Sequence, residues 1–124
     1  MIVGVSRVSF HLPGNNSLKG KRKNVKGLVD RIRAKFNAAV AEVAENDTLQ
    51  KAVIGISVVG NDGAHVDSML GRINNFIEGV TTMPVAAFAT EIIHMGDHLE
   101  QDLSSDRIGD EEAFPWENEE DKEW

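Results

Sequence analysis

An α+β sandwich, with two helices on one face of a four-stranded antiparallel sheet, is the fold class this sequence predicts. Three observations carry it. Hydrophobic periods follow one another in the order strand, helix, strand, strand, helix, strand. Turn and capping residues stand between the periods, and a chain of 124 residues is one domain's worth, enough to bury a single core. The order is that of the split βαβ repeat, the ferredoxin-like βαββαβ sandwich.

The first strand is written in residues 1–12, where Val8, Phe10 and Leu12 alternate with Arg7, Ser9 and His11. Pro13, Gly14, Asn15 and Asn16 break it, and Ser17 is placed to cap a helix. Leu18, Val25, Leu28, Val29, Ile32 and Phe36 then recur at helical spacing, which predicts an amphipathic helix of about 20 residues up to Asn37. Residues 38–43 and 51–59 are short apolar runs joined by Glu45-Asn46-Asp47-Thr48, so they pair as a hairpin. Asn61 or Asp62 caps a second helix, whose stripe is Val66, Met69, Leu70, Ile73, Phe76 and Ile77 and which Gly79 ends. The last strand runs over residues 85–94. These elements place the domain in residues 1–103, and residues 104–124 hold too little apolar matter to order themselves, which predicts an acidic, disordered tail.

One face of such a sheet goes to the helices. Ile54, Ile56 and Val58 suit that face, yet Val53, Val59, Ala39, Ala41 and Val43 on the opposite parity are apolar or small as well. With no third helix to cover it, the second face is expected to join copies of the chain into a homo-oligomer, a dimer in the simplest case.

Charge is segregated along the chain. The formal net charge is −7, but residues 1–108 hold 12 basic and 12 acidic side chains, and the last 16 residues hold eight acids against Lys122 alone. Residues 13–37 carry eight cations and one acid, Asp30, a local balance of +7. The chain has no cysteine, so disulfide frameworks and thiolate chemistry are excluded and a reducing cytoplasm suits it. No run approaches the roughly 18 apolar residues of a membrane span, which leads us to expect a cytoplasmic protein without a membrane partner.

Signals for catalysis or a cofactor are thin. His94 and His98 flank Gly96, which breaks the helix that would align them as metal ligands, and His11 falls at the other end of the sheet. Gly14 and Gly20 are isolated, with no phosphate loop of the P-loop or dinucleotide kind. No serine stands in a nucleophile elbow. Acylphosphatases share the predicted fold and build a phosphate cradle after the first strand, but Leu12-Pro13-Gly14-Asn15-Asn16-Ser17 lacks its arginine-bearing signature. The expectation is therefore no enzyme, no cofactor and no metal site. Base stacking on the sheet is disfavoured too, because Phe36 and Phe76 lie on helix stripes, Phe10 shares the core parity and the third strand has no aromatic.

What remains is the cationic helix. A turn of 100° per residue puts Lys19, Lys23, Lys26 and Asp30 away from the apolar stripe, and Lys21 and Arg22 within roughly 60° of its centre. Those two cations either reach past the sheet edge to an anionic partner or pair with a carboxylate such as Glu91 or Asp62. A cationic cluster at a helix N-terminus adds to the free backbone N–H groups there, so phosphate is the natural guest. The expected nucleic-acid-binding residues are Lys19, Lys21, Arg22, Lys23 and Lys26.

Ser17-Leu18-Lys19-Gly20-Lys21-Arg22, followed by Val25, Leu28, Arg33-Ala34-Lys35-Phe36-Asn37 and Val40-Ala41-Glu42-Val43, resembles the bacterial YlxP-like family, domain of unknown function 503. The resemblance continues through Leu49-Gln50-Lys51-Ala52 and Val59-Gly60-Asn61-Asp62 and covers residues 1–100. It implies a ferredoxin-like fold and a small cytoplasmic accessory protein. Genes of that family commonly neighbour those for translation initiation factor two and ribosome-binding factor A, which implies work in ribosome assembly or translation. The resemblance supplies no catalytic residues; the family's Ser-Leu-Lys-x-Lys-Arg stretch falls on Ser17, Leu18, Lys19, Lys21 and Arg22.

The resulting expectation is a noncatalytic factor that docks on the phosphate backbone of ribosomal RNA, or of a ribosomal subunit, through the basic helix. The alternative is a homo-oligomeric protein-interaction module without nucleic acid. In the tail, Ala113-Phe114-Pro115-Trp116 is an apolar island among acids whose −7 matches the +7 of the helix segment, so the tail either masks that helix or only solubilises the chain.

Overall fold

A computed structural model describes residues 1–96. The acidic segment 104–124, the boundary at residue 103 and His98 lie outside the described residues. The elements are β1 (Ile2–His11), α1 (Leu18–Lys35), β2 (Ala39–Ala44), β3 (Lys51–Gly60), α2 (Gly63–Val80) and β4 (Val85–His94), and Met1–His94 forms one compact unit. All strand pairs are antiparallel in the order β2-β3-β1-β4, and the two helices share one side. This is the ferredoxin-like α+β architecture that the periodicities predict. No helix among the described residues is long and apolar enough to cross a membrane.

Period-two alternation sorts the sheet. Val8 and Phe10 of β1 and Ala52, Ile54, Ile56 and Val58 of β3 point into the core, and Val40 of β2 extends the same face. The helices close it with Val25, Leu28 and Ile32 of α1 and Val66, Leu70, Ile73 and Ile77 of α2. At about 25 cal/mol per Å² of apolar surface, such side chains stabilise the fold by roughly 1.5–3 kcal/mol each before entropy is counted. α2 sits so close over β1 that a Cβ at Gly4 would come within 2.5 Å of Val66 Cγ1. The buried Ser6 hydroxyl donates to Asn74 Oδ1 at 3.2 Å, so a polar group under α2 is satisfied.

Both helix starts are capped. The Ser17 hydroxyl accepts from the Gly20 N–H at 3.1 Å, and Asp62, not Asn61, accepts from the His65 N–H at 3.1 Å. α2 runs through Gly79 to Val80 and closes on Thr81, whose N–H donates to the Ile77 carbonyl. α1 ends at Lys35, because Phe36 is already extended at φ −123° and ψ 149°.

Candidate nucleic-acid interface

α1 carries eight basic side chains, and packing divides them unequally. Lys19, Arg22, Lys23, Lys26, Arg31, Arg33 and Lys35 are exposed, whereas Lys21 has no exposed surface at all. Lys19, Arg22, Lys23 and Lys26 form one ridge along the first half of the helix. Lys26 and Asp30 make an i,i+4 ion pair of 2.9 Å between exposed side chains, a weak contact that water and salt compete with. Among the described residues, no carboxylate stands within 4.0 Å of Lys19, Arg22 or Lys23.

Lys21 is a different object. Its ammonium donates to the carbonyl oxygens of Glu45 at 2.5 Å, Thr48 at 2.8 Å, Lys51 at 3.1 Å and Asn46 at 3.3 Å. Glu42 Oε2 lies 3.4 Å away. An ammonium has three N–H donors; here the carbonyls take them, and the buried Glu42 Oε2 accepts no hydrogen bond. Glu42 therefore balances charge while the loop carbonyls solvate it. The sequence expectation that Lys21 meets phosphate is corrected accordingly: a group without exposed surface contacts no external polyanion. The internal partner is also neither Glu91 nor Asp62. Arg22 does not turn inward beside Lys21: it is exposed, which fits the first alternative, an outward reach to an anionic partner.

The backbone explains the pocket around Lys21. The connection from β2 to β3 passes through Glu45 in the left-handed region at φ 59°, uncommon for a residue with a Cβ. That turn aims successive carbonyls inward, and Thr48 fixes it through its N–H to Glu45 O at 3.1 Å and its hydroxyl to Glu45 Oε1 at 2.9 Å. The loop before α1 joins the same knot: Leu12 N–H donates to Gln50 O at 2.9 Å, and the Asn15 amide donates to Leu49 O and Ser17 O. The first turn of α1 is thus pinned to the β2–β3 connection, and the exposed ridge starts from a fixed base.

At the far end of α1, sequence reasoning missed a second feature. Phe36 and Phe76, expected in the core, are half-buried and pack edge to face with centroids 5.4 Å apart at 74°. The Lys35 ammonium lies over both rings, 5.9 and 5.5 Å from their centroids. The helical period assigns both rings to the apolar stripe but cannot tell a stripe's centre from its rim.

The face of the sheet opposite the helices has the predicted composition. Val59 and Val43 are 62% and 54% exposed, Ile93 also meets solvent, and Ala39, Ala41, Ala87 and Ala89 lie on the same face. A groove of about 680 Å³ crosses it, lined among others by Val5, Arg7, Ala41, Val43, Gly55 and Glu91. Val43 leans over Gly55 so closely that a Cβ there would lie 2.8 Å from Val43 Cγ1. His11 and His94 fall at opposite ends of the sheet, since His94 pairs with Ile2.

The family described as "Protein of unknown function (DUF503)" matches residues 3–90. The protein of Bacillus subtilis (strain 168) described as "Uncharacterized protein YlxP" is 34% identical over 77 residues, which are 62% of this chain and 84% of that one. A solved REP-associated tyrosine transposase bound to a REP hairpin superposes with a TM-score of 0.38 at 7% identity, over 80% of this chain and 60% of the other, less than two thirds of its length. By the extent of the family match, with the ferredoxin-like order beneath it, the chain belongs to the DUF503 family.

Proposed function

We propose that this protein is a noncatalytic, cytoplasmic accessory factor of ribosome assembly or translation, and that it docks on RNA phosphates through the exposed ridge Lys19, Arg22, Lys23 and Lys26. One observation carries the reading: with Lys21 withdrawn, α1 still presents seven exposed cations against a single exposed carboxylate, Asp30. A rigid helix that concentrates charge of one sign binds a polyanion mainly by releasing its counterions, and needs neither base stacking nor a nucleophile. The test is binding of the full chain to a ribosomal RNA fragment over a series of salt concentrations. Arg22→Glu with Lys23→Glu is expected to remove binding at low salt and leave thermal unfolding unchanged; retained binding overturns the reading.

A second reading is favoured by the open sheet face: a homo-oligomer joined through that face, with or without RNA. An apolar groove lined by Val43, which is 54% exposed, is costly to leave in water. Light scattering on the purified chain, with and without RNA, tells the two readings apart.

A further inference from the structure

We infer that the open sheet face joins two copies of this chain about a two-fold axis, registered by reciprocal ion pairs between Arg7 of one copy and Glu91 of the other. The inference rests on the sheet-face reading above and adds the register. Away from the end that holds His11 and Lys51, Arg7 of the central strand β1 and Glu91 of the edge strand β4 are the charged strand residues on this otherwise apolar and small-residue face; Arg33 of α1 also lines the groove, its guanidinium donating to the Val40 carbonyl at 2.6 Å.

The pairing between β1 and β4 sets Val5 against Glu91 and Arg7 against Ala89. These four residues are therefore the corners of one rectangle, with Arg7 and Glu91 on one diagonal and Val5 and Ala89 on the other. The spacing of strands and of alternate residues makes each diagonal about 8 Å at the backbone. Among the described residues, Arg7 and Glu91 make no ion pair within 4.0 Å. Each stands exposed beside an apolar groove.

A two-fold axis in the plane of the interface, crossing the rectangle and bisecting the Arg7–Glu91 line, does three things at once. It brings Arg7 opposite Glu91 twice. It sets Val5 and Ala89, near the axis, against copies of themselves. It also leaves neither charge buried without a partner, the condition under which an isologous interface can carry charge. Ala39, Ala41, Gly55, Ser57 and Ala87 keep the rest of the face low enough for two sheets to stack at about 10 Å. A polyanion or an acidic peptide on this face would meet Glu91, and a basic one Arg7; a second copy answers both charges.

Sedimentation of the full chain tests this. The unaltered protein is expected to be a dimer. Arg7→Glu and Glu91→Arg, each alone, set like charges opposite each other and should weaken dimerisation about a hundredfold or more, and the double variant should recover it to within about tenfold. Circular dichroism checks that each variant folds. A monomer at concentrations of about 0.1 mM overturns both the sheet-face reading and this inference. A dimer that Val59→Asp or Val43→Asp splits, but that is indifferent to both charge reversals, keeps the sheet-face reading and overturns the register. A dimer indifferent to all four substitutions overturns both.

Discussion

Lys21 on the first turn of α1 and Glu42 on β2 stand 3.4 Å apart, with the lysine wholly out of water. The pair joins elements that neighbour each other at the sheet edge, and three carbonyls of the β2–β3 connection with that of Lys51 on β3 complete the shell around the ammonium. Such a shell costs several kcal/mol in desolvation and offsets it only while every member is present.

Removing the lysine charge leaves Glu42 and four carbonyls without their cation. Lys21→Met is therefore expected to destabilise the fold by about 3–5 kcal/mol, and Glu42→Gln by less, because the carbonyls still solvate the ammonium. Urea unfolding followed by circular dichroism measures both. Equal costs, or a stable Lys21→Met protein, would mean that the β2–β3 connection holds its shape without the lysine.

Residue patterns made most of this architecture legible, because alternation and helical spacing act on every residue of an element and one misfit does not break them. The inward turn of Lys21 was legible on the helical wheel; its partner was not. Yet Val40 and Glu42 share the parity opposite to Ala39, Ala41 and Val43, so an acid was written on the core face of β2. The four carbonyls were beyond reach, since they depend on the left-handed turn at Glu45, and no residue type marks that turn as a glycine would. Of the two alternatives left open for Arg22, the outward one holds for a related reason: near the edge of a stripe, a long side chain swings to water.

Glycines should respond with opposite signs according to what lies beside them. Gly4→Ala drives a methyl group into Val66 and Leu70, which stand 2.5 and 2.8 Å from the new atom, and should cost about 1–3 kcal/mol. Gly27 sits in the middle of α1 with open space at its Cβ position, so Gly27→Ala should stabilise by about 0.5–1 kcal/mol. Thermal denaturation of the two variants reads both signs. A stable Gly4→Ala protein would show that α2 can lift from β1 at little cost.

If four ridge cations meet phosphates, the logarithm of RNA affinity should fall against the logarithm of salt concentration with a slope of about −3. Arg22→Ala with Lys23→Ala should halve that slope to about −1.5. Fluorescence anisotropy over a salt series measures it. A slope unmoved by this double variant would place the contact elsewhere on the molecule, whatever the affinity.

Asp30 supplies the sharpest internal control, because it is the single exposed carboxylate among the charges of α1 and holds Lys26 at 2.9 Å. Both partners are exposed, so the pair contributes little to the fold, and Asp30→Asn should change stability by less than about 0.5 kcal/mol. The same change frees the Lys26 ammonium and deletes a charge that repels phosphate. RNA binding at low salt should therefore strengthen about two- to fivefold, and the gain should fade as screening shortens the reach of the field. Anisotropy titrations at two salt concentrations check both statements. Unchanged or weaker binding at low salt would remove Lys26 from the interface and shorten the ridge to Lys19, Arg22 and Lys23.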